Sequence, residues 1–167
     1  MSHPDTAWAE ESESILRGLA HALSNRAIAL DLAGDALDDE EAEARAAATA
    51  QIRGESVRVA ELTRLLKLLP REGLGRPQAL QVSEVLADAV ALHAHHLELR
   101  DLPLTTAIAA EALPVRVERW ALLRALVLLI AMARRAARAE GSAGGGVAIR
   151  VEGTEDETRV ACAVGED

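Results

Sequence analysis

The chain has 167 residues, a formal net charge of -9 and a pI near 5.1; 50% of its residues are apolar and 27% charged. That size holds one compact domain or two very small ones, and the composition is that of a folding chain. The acidic balance excludes a cationic grip on DNA or RNA phosphates, and with Trp8 and Trp120 as the only aromatics there is no stacking platform for single strands. Cys162 is the only cysteine, so neither an intramolecular disulfide framework nor a thiolate zinc cluster is expected. Residues 1–11 are polar and acidic, without the basic-then-apolar order of a signal peptide. The longest apolar run, 125–133, lies between Arg124 and Arg134 and is too short to span a bilayer. These features lead us to expect a cytoplasmic protein that binds neither nucleic acid nor membrane.

The first seventy residues read as two long helices. Leu16, Ala20, Leu23, Ala27, Leu30, Gly34 and Leu37 alternate spacings of four and three, which is a heptad seam. A second seam runs through Ile52, Val59, Leu62, Leu66 and Leu69, interrupted by Glu55. Asp38 to Glu41 form a charged corner between them, where Asp38 or Asp39 would cap the second helix, and Pro70 would end it. Ile15 and Leu19 widen the first stripe, Leu65 and Leu68 the second. Stripes this wide predict that two hairpins pair into a four-helix bundle, as a homodimer by isologous contact.

Residues 71–80, rich in Pro and Gly at their start, read as a linker, and 81–167 as a second unit. Here 78–82 is a short strand candidate, Ser83 caps a helix reaching about residue 97, and 102–108 and 114–117 are strand candidates. A strongly apolar helix follows over 119–139, then a glycine turn over 141–146 and an antiparallel hairpin of 147–152 with 158–164. The expected class is α+β: a helical hairpin followed by a small α/β sandwich.

Few residues here point to chemistry. His21 sits beside the first seam and should be half-exposed. It reads either as an ordinary flank histidine or as a nucleophile whose neutral imidazole attacks phosphorus. Asn25, four residues on, shares its face and would orient a phosphoryl oxygen or a water. His93 and His96 are nearly one helical turn apart, but Glu98 and Asp101 are only loosely placed beside them. A helix end whose histidines answer free carbonyls is the favoured reading over a metal site. Gly144 to Gly146 lack the flanking strand and Lys of a phosphate loop, and Cys162 reads as a small core residue.

Taken together, the hairpin with a flank histidine, the linker and the strand–helix–strand–strand–helix–hairpin order resemble a bacterial sensor histidine kinase without its sensor. The stretch from Ile15 to His21-Ala22-Leu23-Ser24-Asn25-Arg26-Ala27 resembles the kinase histidine box, an apolar residue and five spacers before H-E-L-R-T/N-P-L. On that resemblance His21 matches the phosphorylated histidine, Leu23 the core leucine, and Asn25 the Thr/Asn that assists transfer or dephosphorylation. Ala22 stands where the family has its acidic base, and Arg26 where it has proline. Leu113 to Glu118 resembles the strand before the main helix of the ATP-binding domain. In that helix both magnesium-binding asparagine places are apolar, at Leu128 and Met132. The D-x-G-x-G box would begin at Val164-Gly165-Glu166-Asp167.

The resemblance therefore implies a dimerisation and phosphotransfer hairpin over 1–70 and a degenerate ATPase-like domain over 81–167. No cofactor is implied, and any magnesium would come from a receiver partner. Two functions follow from it. One is a histidine phosphotransferase shuttling phosphoryl groups between His21 and receiver-domain aspartates, with Leu16, Arg17, Ser24 and Ile28 as candidate receiver-docking residues. The other is an inactive kinase-like scaffold that binds a response regulator or a kinase. A third, plainer reading is a dimeric α+β interaction protein with an incidental histidine.

Overall fold

The computed structural model describes residues 4–38, 41–69, 75–109, 114–139, 146–153 and 157–165. Helix α1 (Pro4–Asp35) runs without a break past Arg26, and a short 3₁₀ turn (Ala36–Asp38) leads towards helix α2 (Ala42–Leu68). The N-cap of α2 is Glu41 rather than Asp38 or Asp39; it is in extended conformation and its side chain makes no capping hydrogen bond. Asp39, Pro70, the linker residues 71–74 and most of the 141–146 turn lie outside the described residues.

Strand β1 (Gln78–Leu80) takes the last three residues of the expected linker, and Val82 belongs to helix α3 (Val82–His93) rather than to the strand. Gln81, not Ser83, is the N-cap residue. Helix α3 stops four residues short of the expected end, and turns over 94–101 replace its last part. Strands β2 (Leu104–Ile108) and β3 (Val115–Val117), helix α4 (Arg119–Ala139) and strands β4 (Gly146–Gly153) and β5 (Thr158–Gly165) follow close to expectation. The protein is α+β, with four α-helices and two small sheets among the described residues.

Strand β1 pairs antiparallel with β3 in one sheet; the other has the order β2-β4-β5, with β2 parallel and β5 antiparallel to β4. Alternate residues Val147, Ile149 and Val151 of β4 are buried, as the two-residue period of a one-sided sheet requires. Helix α4 packs on β4 and β5, with α3 beside it. The core runs from Val147, Ile149 and Val151 through Leu123, Val127 and Ile130 of α4 and Val85, Leu86, Ala89 and Leu92 of α3. It continues without interruption to Ile15 and Leu19 of α1 and Leu62, Leu65 and Leu69 of α2. The hairpin and the α/β layer therefore share one core.

On α1 the buried stripe is not the heptad seam. Ile15 and Leu19 are fully buried, whereas the seam residues Leu16, Ala20 and Ala27 are exposed, and Leu23 and Leu30 only half-buried. The core of this chain lies one position away from the seam, so the seam itself stays open. On α2 the seam and the core agree at Leu62 and Leu69.

Candidate functional site

Polar contacts between residues distant in sequence fix α1 against its neighbours. At the N-terminal end Glu11 is 1% exposed. It accepts a hydrogen bond from His96 Nε2 at 2.8 Å and pairs with Arg135 of α4. Burial opposes the ionised form of Glu11, but His96 and Arg135 outweigh it and hold the carboxyl below its usual range. His96 Nδ1 accepts from the backbone N–H groups of Glu98 and Leu99, each at 3.2 Å, and from Ser14 Oγ at 3.3 Å. These partners give His96 the tautomer with its proton on Nε2.

One turn further along α1, Gly18 passes directly under the carbonyl of His95. A Cβ built there would lie 1.7 Å from that oxygen, so the approach admits only glycine. Beyond it Arg26 Nη1 lies 3.1 and 3.2 Å from the two carboxylate oxygens of Glu55 on α2, and Arg58 lies 2.6 Å from Glu55 Oε1. Glu55, which interrupts the second seam, is thus the buried anchor of a charged clamp across the hairpin. A similar clamp joins three helices. Asp88 of α3 accepts from Arg64 of α2 at 2.7 Å and from Arg119 of α4 at 2.5 Å.

His93, the last residue of α3, and His96 in the turn after it are interior groups, and their partners lie on other elements rather than at the free carbonyls of the helix end. His93 and His96 are buried and their rings stack, with centroids 5.6 Å apart. His93 Nε2 donates to the Val127 carbonyl at 2.8 Å, and burial pushes its pKa down to about 4, with Arg134 adding to the shift. A cation is therefore disfavoured at His93. Among the described residues no group of three or more His, Cys, Asp or Glu side chains is placed to hold a metal ion.

The site expected on α1 faces outward. His21 is exposed, and Asn25 Nδ2 donates to its Nε2 across a long 3.5 Å. An amide that donates to Nε2 goes with the tautomer that carries its ring proton on Nδ1, and the Nε2 lone pair that would act as nucleophile is the one that accepts this long bond. Leu16, Arg17, Ser24 and Ile28 are all exposed as well. Arg17 pairs with Glu13 one turn before it, at 2.5 Å. Farther along the same side of α1, Ile28 and Leu32 expose 60% and 63% of their surface. Four-then-three spacing places His21, Asn25, Ile28 and Leu32 along one stripe.

The two places of the resembled magnesium ligands hold a half-buried Leu128 and a Met132 that is 68% exposed. A cleft of about 190 Å³ lies between the end of α2 and the start of α4, lined by Lys67, Leu68, Arg119, Trp120 and Leu123. Glu118 caps α4 beside it, accepting from the N–H groups of Trp120 at 3.0 Å and Ala121 at 2.7 Å. Cys162 is half-buried on β5 and burial raises its thiol pKa, in keeping with a packing role.

Sequence reasoning brought His21 and Asn25 together but missed Glu11, Glu55 and Asp88. The signal was there for Glu11. It falls on the stripe Trp8, Glu11, Ile15, Gly18, Ala22, which has helical spacing, and a carboxylate on an otherwise small or apolar stripe needs a partner. The same argument applied to Glu55 points to an arginine on the facing helix.

No family model matches the chain, and neither does any curated protein. Among solved structures it is similar to one described as a bacterial phosphotransferase, at 15% identity and a TM-score of 0.47, covering 93% of this chain and 67% of that one. Among the described residues no helix is long and apolar enough to cross a membrane.

Proposed function

We propose that this chain is a histidine phosphotransfer protein of a two-component phosphorelay. His21 accepts a phosphoryl group from a receiver-domain aspartate and donates it to another, without ATP. The observation that carries this reading is the exposed His21 with Asn25 Nδ2 at 3.5 Å from Nε2. It combines an accessible nucleophile with an amide able to bond a phosphoryl oxygen at the same nitrogen. Transfer is in line, and positioning supplies most of the catalysis. The apolar Leu128 and Met132 at the resembled magnesium places agree with an external phosphoryl source.

The partner docks over Leu16, Arg17, Ser24 and Ile28, all exposed around His21. The open seam of Leu16, Ala20 and Ala27 faces a second copy of the chain, completing a four-helix bundle. Leu16 lies where these two surfaces meet.

The direct test is transfer of label from a panel of phosphorylated receiver domains to the native protein, His21→Ala and His21→Gln, with no ATP carried over. Label on the native protein alone makes His21 the carrier. Receivers that bind without labelling it favour the second reading, an inactive kinase-like scaffold. The missing acidic base, with Ala22 in its place, gives that reading its support. Sedimentation checks the dimer, and a chain monomeric at working concentration removes the bundle from both readings.

A further inference from the structure

Helix α1 carries two cations, Arg17 and Arg26, and they are held very differently. Arg26 reaches across the hairpin to Glu55, whose side chain is 6% exposed, and letting go would leave a carboxylate buried beside Arg58 alone. Among the described residues Arg17 holds only Glu13, and both side chains lie largely in water, 68% and 61% exposed. An exposed pair of this kind is held weakly and exchanges easily. Arg17, His21 and Asn25 are spaced by four, so a cation and an amide flank the imidazole on consecutive turns.

The directions of the side chains complete the argument. Helical side chains lean towards the N-terminus, over the preceding turn. Asn25 reaches back to His21, and Arg17 reaches back to Glu13. By the same rule a side chain at His21 tends towards the turn that carries Arg17, so a dianionic group on its ring would meet the guanidinium once that side chain leaves Glu13.

We propose that Arg17 is the phosphoryl-binding cation of this site. When His21 carries a phosphoryl group on Nε2, Arg17 leaves Glu13 for the phosphoryl oxygens while Asn25 donates from the other side. The inference rests on the phosphotransfer reading and adds to it a charge-neutralising residue with a resident competitor. Glu13 holds the guanidinium until a group of greater charge arrives.

The test uses a small phosphoryl donor, so partner docking does not enter. With phosphoramidate, the His21 Nε2 lone pair attacks phosphorus, the P–N bond breaks and ammonia departs. The resulting imidazolium then releases its Nδ1 proton to solvent. The full chain is labelled as the native protein, Arg17→Gln, Arg17→Lys, Glu13→Gln and His21→Ala. Phosphorus NMR then follows the titration of the bound phosphoryl group.

Arg17→Gln should slow labelling several-fold and raise the phosphoryl pKa by about half a unit, because a nearby cation favours the dianion. Arg17→Lys should restore most of that shift, and Glu13→Gln should move it the other way. Superimposable titrations for the native protein, Arg17→Gln and Glu13→Gln overturn the proposal while leaving His21 as carrier. If neither phosphoramidate nor any phosphorylated receiver labels the native protein, the phosphotransfer reading falls, and this one with it.

Discussion

Between Trp8 and Leu19, helix α1 is pressed against α4 and the turn after α3 by buried charge, core side chains and a glycine-only approach. Between Ala20 and Leu32 the same helix is held chiefly across the hairpin by α2, and it keeps His21, Asn25, Ile28 and Leu32 facing outward. One half is specified by what it touches and the other by what it leaves open. A rigid first half fixes where the exposed second half points, so the α/β layer acts on His21 as a buttress rather than through direct contact. Burial of Ile15 and Leu19 stabilises the first half by roughly 1.5–3 kcal/mol each. The exposed Ile28 and Leu32 return nothing comparable among the described residues.

The largest way to break this contrast is Gly18→Ala. The added methyl would meet the His95 carbonyl, part of a backbone turn that cannot swing aside as a flexible side chain does. Either α1 moves off the turn or the turn over 94–101 rearranges, and the bonds of Glu11 and Ser14 to His96 lie on the same seam. We expect a loss of about 3 kcal/mol, at the upper end for overpacking, read as a drop in the urea midpoint. Amide exchange should quicken in α1 up to Leu19 and change little in the distal hairpin. Uniform loosening of both halves would show that α1 is one cooperative unit and remove the distinction.

Acid provides the second test. His93 is neutral in the folded protein, with its pKa pushed down from 6.5 to about 4, chiefly by burial. Between those values the unfolded chain binds a proton that the folded one refuses, so stability rises with pH in this window and is lost as pH falls. At about 1.4 kcal/mol per unit of difference, the loss reaches roughly 2 kcal/mol by pH 5 and levels off below pH 4. Glu11, whose carboxyl is held low by His96 and Arg135, adds a further loss at still lower pH. Stability measured from pH 7 to pH 4 should show this slope, and His93→Gln, although less stable throughout, should flatten it. An unchanged slope in that variant would assign the acid sensitivity elsewhere.

These same residues mark how far the sequence was legible. Helix α4 was readable to the residue because a long apolar period bounded by Glu118 and a glycine segment leaves little choice. The β4–β5 hairpin was readable because alternation fixes one face. His21 and Asn25 were readable because their relation is local, four residues on one helix. The true core stripe of α1 was not, because Ile15 and Leu19 are as apolar as the seam beside them. Only the neighbouring α/β layer decides which stripe is buried. The partners of Glu11, Glu55 and Asp88 escaped for the same reason. Each of these acids has partners on other elements, 24 to 124 positions away along the chain.

The smallest effect comes from another glycine, and it sharpens the contrast because only the surroundings differ. Gly54 lies in the interior of α2, exposed, with nothing within 4 Å of where its Cβ would be. It costs the helix the extra backbone freedom that glycine retains when unfolded, and no close approach requires it. Gly54→Ala should therefore stabilise the chain by about 0.5–1 kcal/mol, visible as a small rise in melting temperature with no change in the amide exchange of α1. The same substitution at Gly18 has the opposite sign because there the space is taken by the His95 carbonyl. A loss of stability at Gly54 would mean that this stretch of α2 is covered in solution. The second copy expected for a four-helix bundle is what would cover it, so melting the variant over a range of protein concentrations separates helix propensity from a lost contact between chains.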